Sequence, residues 1–130
     1  MLDRYIGLQS KRKIFKKMDK LEQQFEEEMW GIYEEAKRPP CRYNAGYFRN
    51  MLIDYGGRET ARRLLGTTEI QEGFTQLYLC NRLDLTVEFH VLQPRFGGLF
   101  TAEERRAATQ RLNSVGFAVD DKGNLIHLTK

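Results

Sequence analysis

The chain is poor in the features that staple, anchor or arm a protein. It has two cysteines, three prolines, two histidines and one tryptophan among 130 residues. Cys41 and Cys80 are too few for a disulfide framework, and neither CxxC spacing nor a histidine cluster accompanies them. Structural zinc takes four ligands, and the Cys and His residues here are scattered at 41, 80, 90 and 127. No metal or cofactor is therefore expected. No apolar run approaches the roughly 18 residues of a membrane span. The opening MLDRYIGLQSKRK has no signal-peptide core. The expectation is a cytoplasmic protein with reduced thiols and no membrane partner. No Ser/His/Asp set, carboxylate pair or phosphate-cradling glycine loop can be assembled, so a non-catalytic protein is expected.

What the chain does have is charge, unevenly placed. The first 20 residues carry +5, the next 16 carry −6, and the remaining 94 carry +4. From Arg4 to Lys20 the seven bases Arg4, Lys11, Arg12, Lys13, Lys16, Lys17 and Lys20 face one acid, Asp19; Glu22, Glu26, Glu27, Glu28, Glu34 and Glu35 follow with no base before Lys37. Read as one long helix over residues 1–38, this order opposes the helix dipole, which favours acids first and bases last. An antiparallel copy of the same helix would answer it, setting residues 11–20 of one chain against 26–35 of the other.

Apolar periodicity supports helices. Ile14, Met18, Leu21, Phe25, Met29, Ile32 and Ala36 are spaced 4-3-4-4-3-4, one face of a helix. Pro39 and Pro40 stop it. Asn44 is the expected N-cap of a helix through Tyr55, with Gly56-Gly57 as a tight corner before a short helix over Arg58–Leu65. A capping box at Thr68–Gln71 predicts a helix to about Asn81, and Asp84 is the expected cap of a segment over Leu85–Leu92. Thr101 and Glu104 form a second capping box, opening a helix to about Val115. Two short apolar runs around Asp120–Asn124 read as a β-hairpin packed on the helices. The predicted fold is mainly all-α: one compact bundle of about six helices, with a charge-split helix at 1–38, a helical core at 39–116 and a hairpin tail at 117–130.

From about Phe25 to Phe117, roughly 70% of the chain, lie the blocks FEEEMWGIYEEAK, YNAGYFRNML, GGRETARRLL, GFTQLYLCNRLDLTVEFHVL and LFTAEERRAATQRL. In their order and spacing they resemble a group of small bacterial and phage-borne proteins of uncharacterised function. The resemblance implies a shared helical fold and brings no activity or catalytic residue with it. The PPCR stretch at 39–42, the basic N-terminal extension and the hairpin tail depart from the group's pattern.

Within RLDLTVEFH, Arg82, Asp84, Glu88 and His90 are the only cluster suggesting a catalytic site. Capping by Asp84, pairing by Arg82 and a partly buried His90 account for the same residue types without chemistry. The expected function is a protein-interaction or regulatory module acting through the charge-split helix. The contact residues would be Lys11, Lys13, Lys16, Lys17 and Lys20 with Glu26, Glu27 and Glu34, as an antiparallel homodimer or with another protein. The alternative is nucleic-acid binding by the basic run, assisted by Arg58, Arg62 and Arg63. The acidic block immediately after that run ranks this reading second.

Overall fold

The computed structural model describes residues 19–68 and 71–128. Its helices are α1 (Lys20–Ala36), α2 (Gly46–Leu65), α3 (Glu72–Leu79), α4 (Val87–Val91) and α5 (Ala102–Ser114), with 3-10 turns at Leu83–Leu85 and Pro94–Leu99. Strands β1 (Phe117–Val119) and β2 (Leu125–His127) form an antiparallel hairpin, Phe117 opposite His127 and Val119 opposite Leu125. The fold is mainly α with a C-terminal hairpin, as the periodicity predicts.

α1 begins where the charge changes sign. Asp19 is extended (φ −76°, ψ 173°), and its carboxylate accepts the Glu22 N–H at 2.8 Å as an N-cap. The predicted continuous rod is thus interrupted at Asp19, and Glu22 sits in a first turn, where the dipole favours an acid. The stripe Phe25, Met29, Ile32, Ala36 is buried as its spacing requires. Ile14 and Met18, the stripe's first two members, lie outside the described residues.

α2 is two helical rods joined at Gly56, whose φ of 81° and ψ of 169° break the helix at the predicted corner. That left-handed φ costs a side-chain-bearing residue far more than glycine. Gly57 fits for a different reason: a Cβ there would sit 3.0 Å from the Cα of Glu26. The corner therefore lets α2 lie directly against α1.

Between these helices lies the main core. Phe25 is fully buried and meets Phe96 and Phe100 edge-on, with ring centroids 5.1 and 5.0 Å away. Burying such a ring contributes about 1.5–3 kcal/mol. A second cluster joins Phe74, Leu83 and Leu112 to Phe117, Val119 and Leu125, so the hairpin covers α3 and α5 rather than standing alone. Its turn is tied by Asp120, whose carboxylate accepts the Lys122 and Asn124 N–H groups.

Three predicted helix starts need correction. Asn44 caps nothing: the N-cap position of α2 is Ala45, without a side-chain cap. Asp84 is drawn instead into a two-point pair with Arg82, at 3.0 Å for both bonds, and α4 is capped by Thr86, whose hydroxyl accepts the Phe89 N–H. α3 starts at Glu72 after Gln71, not at the Thr68 box, and ends at Leu79; residues 69 and 70 of that box lie outside the described residues. The Thr101–Glu104 box forms as predicted, each side chain bonded to the other's backbone N–H.

Candidate functional site

One of the three acids of the expected partner surface, Glu26, turns inward. Glu26 is only 4% exposed; its carboxylate accepts the Gly57 N–H at 2.5 Å and the Trp30 Nε1–H at 2.9 Å. It stitches α1 to the α2 corner and is not available to a partner. Its neighbours are answered within the fold as well. Glu22 pairs with Arg58 at 3.6 Å, Glu34 with Lys37 at 3.5 Å, and Glu35 with Arg82 at 3.8 Å, while Glu28 pairs with Arg95. Glu27 and Lys20 remain on the exposed surface of α1; Lys11, Lys13, Lys16 and Lys17 lie outside the described residues.

The arginines proposed to assist nucleic-acid binding are also engaged. Arg58 donates to the Leu99 carbonyl at 2.9 Å, Arg62 to Glu104 at 2.8 Å, and Arg63 to Glu59 at 3.1 Å while covering the Tyr55 ring. The hydrogen bond to Glu104 raises the Arg62 pKa. Partial burial pushes the Glu104 carboxyl up, but the Thr101 N–H and Arg62 outweigh it and hold it below its ordinary value.

RLDLTVEFH does not converge on one point. Arg82 and Asp84 hold each other near the surface. Glu88 is buried against Arg111 at 2.9 Å, and Arg111 also donates to the Thr67 carbonyl at 2.5 Å. His90 directs Nδ1 at the Thr86 carbonyl, 2.9 Å away, and Nε2 towards Glu28 at 3.5 Å. Burial lowers the His90 pKa, against the opposing effect of the Thr86 hydrogen bond. The ring is thus held between its own helix and α1. Among the described residues no group of three or more His, Cys, Asp or Glu is placed to hold a metal ion, and no helix is long and apolar enough to cross a membrane.

Sequence reasoning missed a concavity. α1, α2 and α3 leave between them a cleft of about 250 Å³, lined by Ile32, Ala36, Phe48, Met51, Phe74 and Leu77 among others. Tyr47 stands at it 75% exposed. Pockets for drug-sized ligands run to about 300–1,000 Å³, so this one suits one or two apolar side chains better than a cofactor. Its polar groups are few. Glu88 is neutralised by Arg111, Glu72 is exposed, and the Tyr43 hydroxyl has its pKa raised by burial and then by Glu72. The lining is otherwise mainly apolar. Nothing in the sequence pattern marked the cleft, because its walls come from three helices each read separately.

A second unforeseen feature adjoins it. Cys41 and Cys80 form a disulfide, with their Cα atoms 5.3 Å apart, within the usual range for such bonds. This corrects the expectation of reduced thiols. Compared with family models, with characterised proteins and with solved structures, the chain matches none.

Proposed function

We propose that this protein is a non-catalytic interaction module that holds an apolar segment of a partner protein in the cleft between α1, α2 and α3. The basic run ahead of α1 would speed the encounter with an acidic partner surface. The observation that carries the reading is the cleft itself: an apolar concavity open at the surface, with a largely exposed tyrosine beside it. Tyrosine supplies large contact area at low entropic cost and is enriched where proteins bind.

The inward pairing of Glu22, Glu26, Glu28 and Glu35 shifts the reading away from an antiparallel pair of charge-split helices. A second copy's lysines would meet carboxylates that already have partners, and exposed pairs add only about 0.2–1 kcal/mol each. The six bases ahead of Lys20 form a block of one sign, and such a block speeds association with an oppositely charged surface at low salt.

The test is a photo-crosslinking residue placed at Tyr47, with Asn113 on α5 as the control outside the cleft. A discrete adduct at position 47 that disappears with Phe48→Asp supports the reading. Equal labelling from both positions rejects it. Light scattering of the purified protein separates a self-association from capture of another chain.

A further inference from the structure

The disulfide and the cleft share side chains. Cys41 lies in the turn after α1, and Cys80 directly follows α3. Both pack on a cluster of Ala36, Leu77 and Leu85, joined by Tyr43; Ala36, Tyr43, Leu77 and Leu85 also line the cleft. α3 has eight residues and buries only Phe74 and Leu77, and a helix this short does not persist without tertiary support. The bond ties the C-terminal end of α3 to the turn after α1, while Phe74 holds the other end in the second core cluster. Both cysteines are partly rather than fully buried, and attack of a thiolate on the bond depends on such access.

We infer that the Cys41–Cys80 disulfide is a redox gate on the cleft: oxidised, it holds α3 in place and the cleft binds; reduced, α3 is released and binding is lost. The inference rests on the cleft being the partner site. The co-reactant is a dithiol. Its thiolate attacks one sulfur, the S–S bond breaks as a mixed disulfide forms, and the second thiol of the reductant resolves that intermediate. Two electrons pass to the protein, Cys41 and Cys80 each gain a proton, and the dithiol leaves as its own disulfide.

Hydrogen exchange of the full-length protein, with and without dithiothreitol, tests the gate without knowing the partner. Reduction should accelerate exchange over 72–80 by at least about tenfold while α1 and α5 keep their protection, as for a locally opening unit. Equal acceleration everywhere makes the bond a general staple and overturns the gate, and so does no change. A methylene-bridged form, with one carbon inserted between the two sulfurs, resists dithiothreitol and should stay protected over 72–80. If it opens as the native bond does, the gate fails. The Tyr47 crosslink should vanish on reduction. Release of α3 with an unchanged crosslink overturns the gate while leaving the cleft reading standing; no crosslink in either redox state ends both.

Discussion

The Glu26 carboxylate accepts the backbone N–H of Gly57 at 2.5 Å, across 31 residues of chain. The residue that sequence reasoning sets on a partner surface instead locks α1 to the corner of α2. Glycine at 57 permits the approach, since a Cβ would also come within 3.1 Å of that same carboxylate oxygen.

Glu26→Ala leaves the Gly57 N–H and the Trp30 indole N–H without their acceptor, and a buried donor left unmet costs about 1–3 kcal/mol. Glu26→Gln keeps one acceptor oxygen and is expected to lose less. Trp30 is the sole tryptophan, so its emission in a urea titration reports both stability and the lost indole bond. Equal midpoints for wild type and Glu26→Ala would remove the role assigned to this carboxylate.

Arg111 and Glu88 form a buried ion pair, their side chains 9% and 5% exposed. Removing one partner strands the other's charge, so Glu88→Leu or Arg111→Met alone should cost about 3–5 kcal/mol. The double change Glu88→Leu with Arg111→Met should recover most of that loss, because no unpaired charge remains and the exposed Thr67 returns its carbonyl to water. Denaturation midpoints of the three variants form the cycle. A double variant as unstable as the sum of the singles contradicts it.

Burial holds the His90 pKa below an imidazole's ordinary value of about 6.5. The unfolded chain then binds a proton near that pH that the native chain resists. Stability is full above about pH 6.5 and declines as pH falls, by at most about 1.4 kcal/mol per pH unit from this one group. Thr86, Glu28 and Phe89 contact the ring, Arg95 pairs with Glu28, and Asp84 adds a weaker field that favours protonation. His90→Gln should flatten the slope between pH 5 and 6.5; an unaltered slope assigns it to other groups.

Thr60 is fully buried, and among the described residues its hydroxyl has no hydrogen-bond partner. Thr60→Val replaces that hydroxyl with a methyl of similar size, removing a desolvation cost of about 1–3 kcal/mol. The variant should melt higher than wild type. A lower melting temperature would point to a partner for the hydroxyl in solution.

Elements whose signals are local were legible. The stripe Phe25, Met29, Ile32, Ala36, the Gly56 break, the Thr101–Glu104 box and the Asp120–Asn124 turn each depend on neighbours within a few residues. Caps failed where a nearer partner competed: Asp84 has Arg82 two residues away, and a bidentate guanidinium outweighs one backbone N–H. Charge was the least legible feature. Glu22, Glu26, Glu28 and Glu35 read as part of one acidic block, yet each finds its own partner from α2, the residues after α3 or the turn after α4.

By itself the chain determined that it would be mainly helical, with a stop ahead of Pro39 and a break at Gly56, and that a hairpin would close it, because periodicity, proline, glycine and short-range caps act within a turn or two of helix. Only the tertiary structure decided which charges meet, that Cys41 and Cys80 come together, and that three helices leave an apolar cleft beside them. Those outcomes depend on distances between segments tens of residues apart, set by core packing around Phe25 and by the close approach at Gly57.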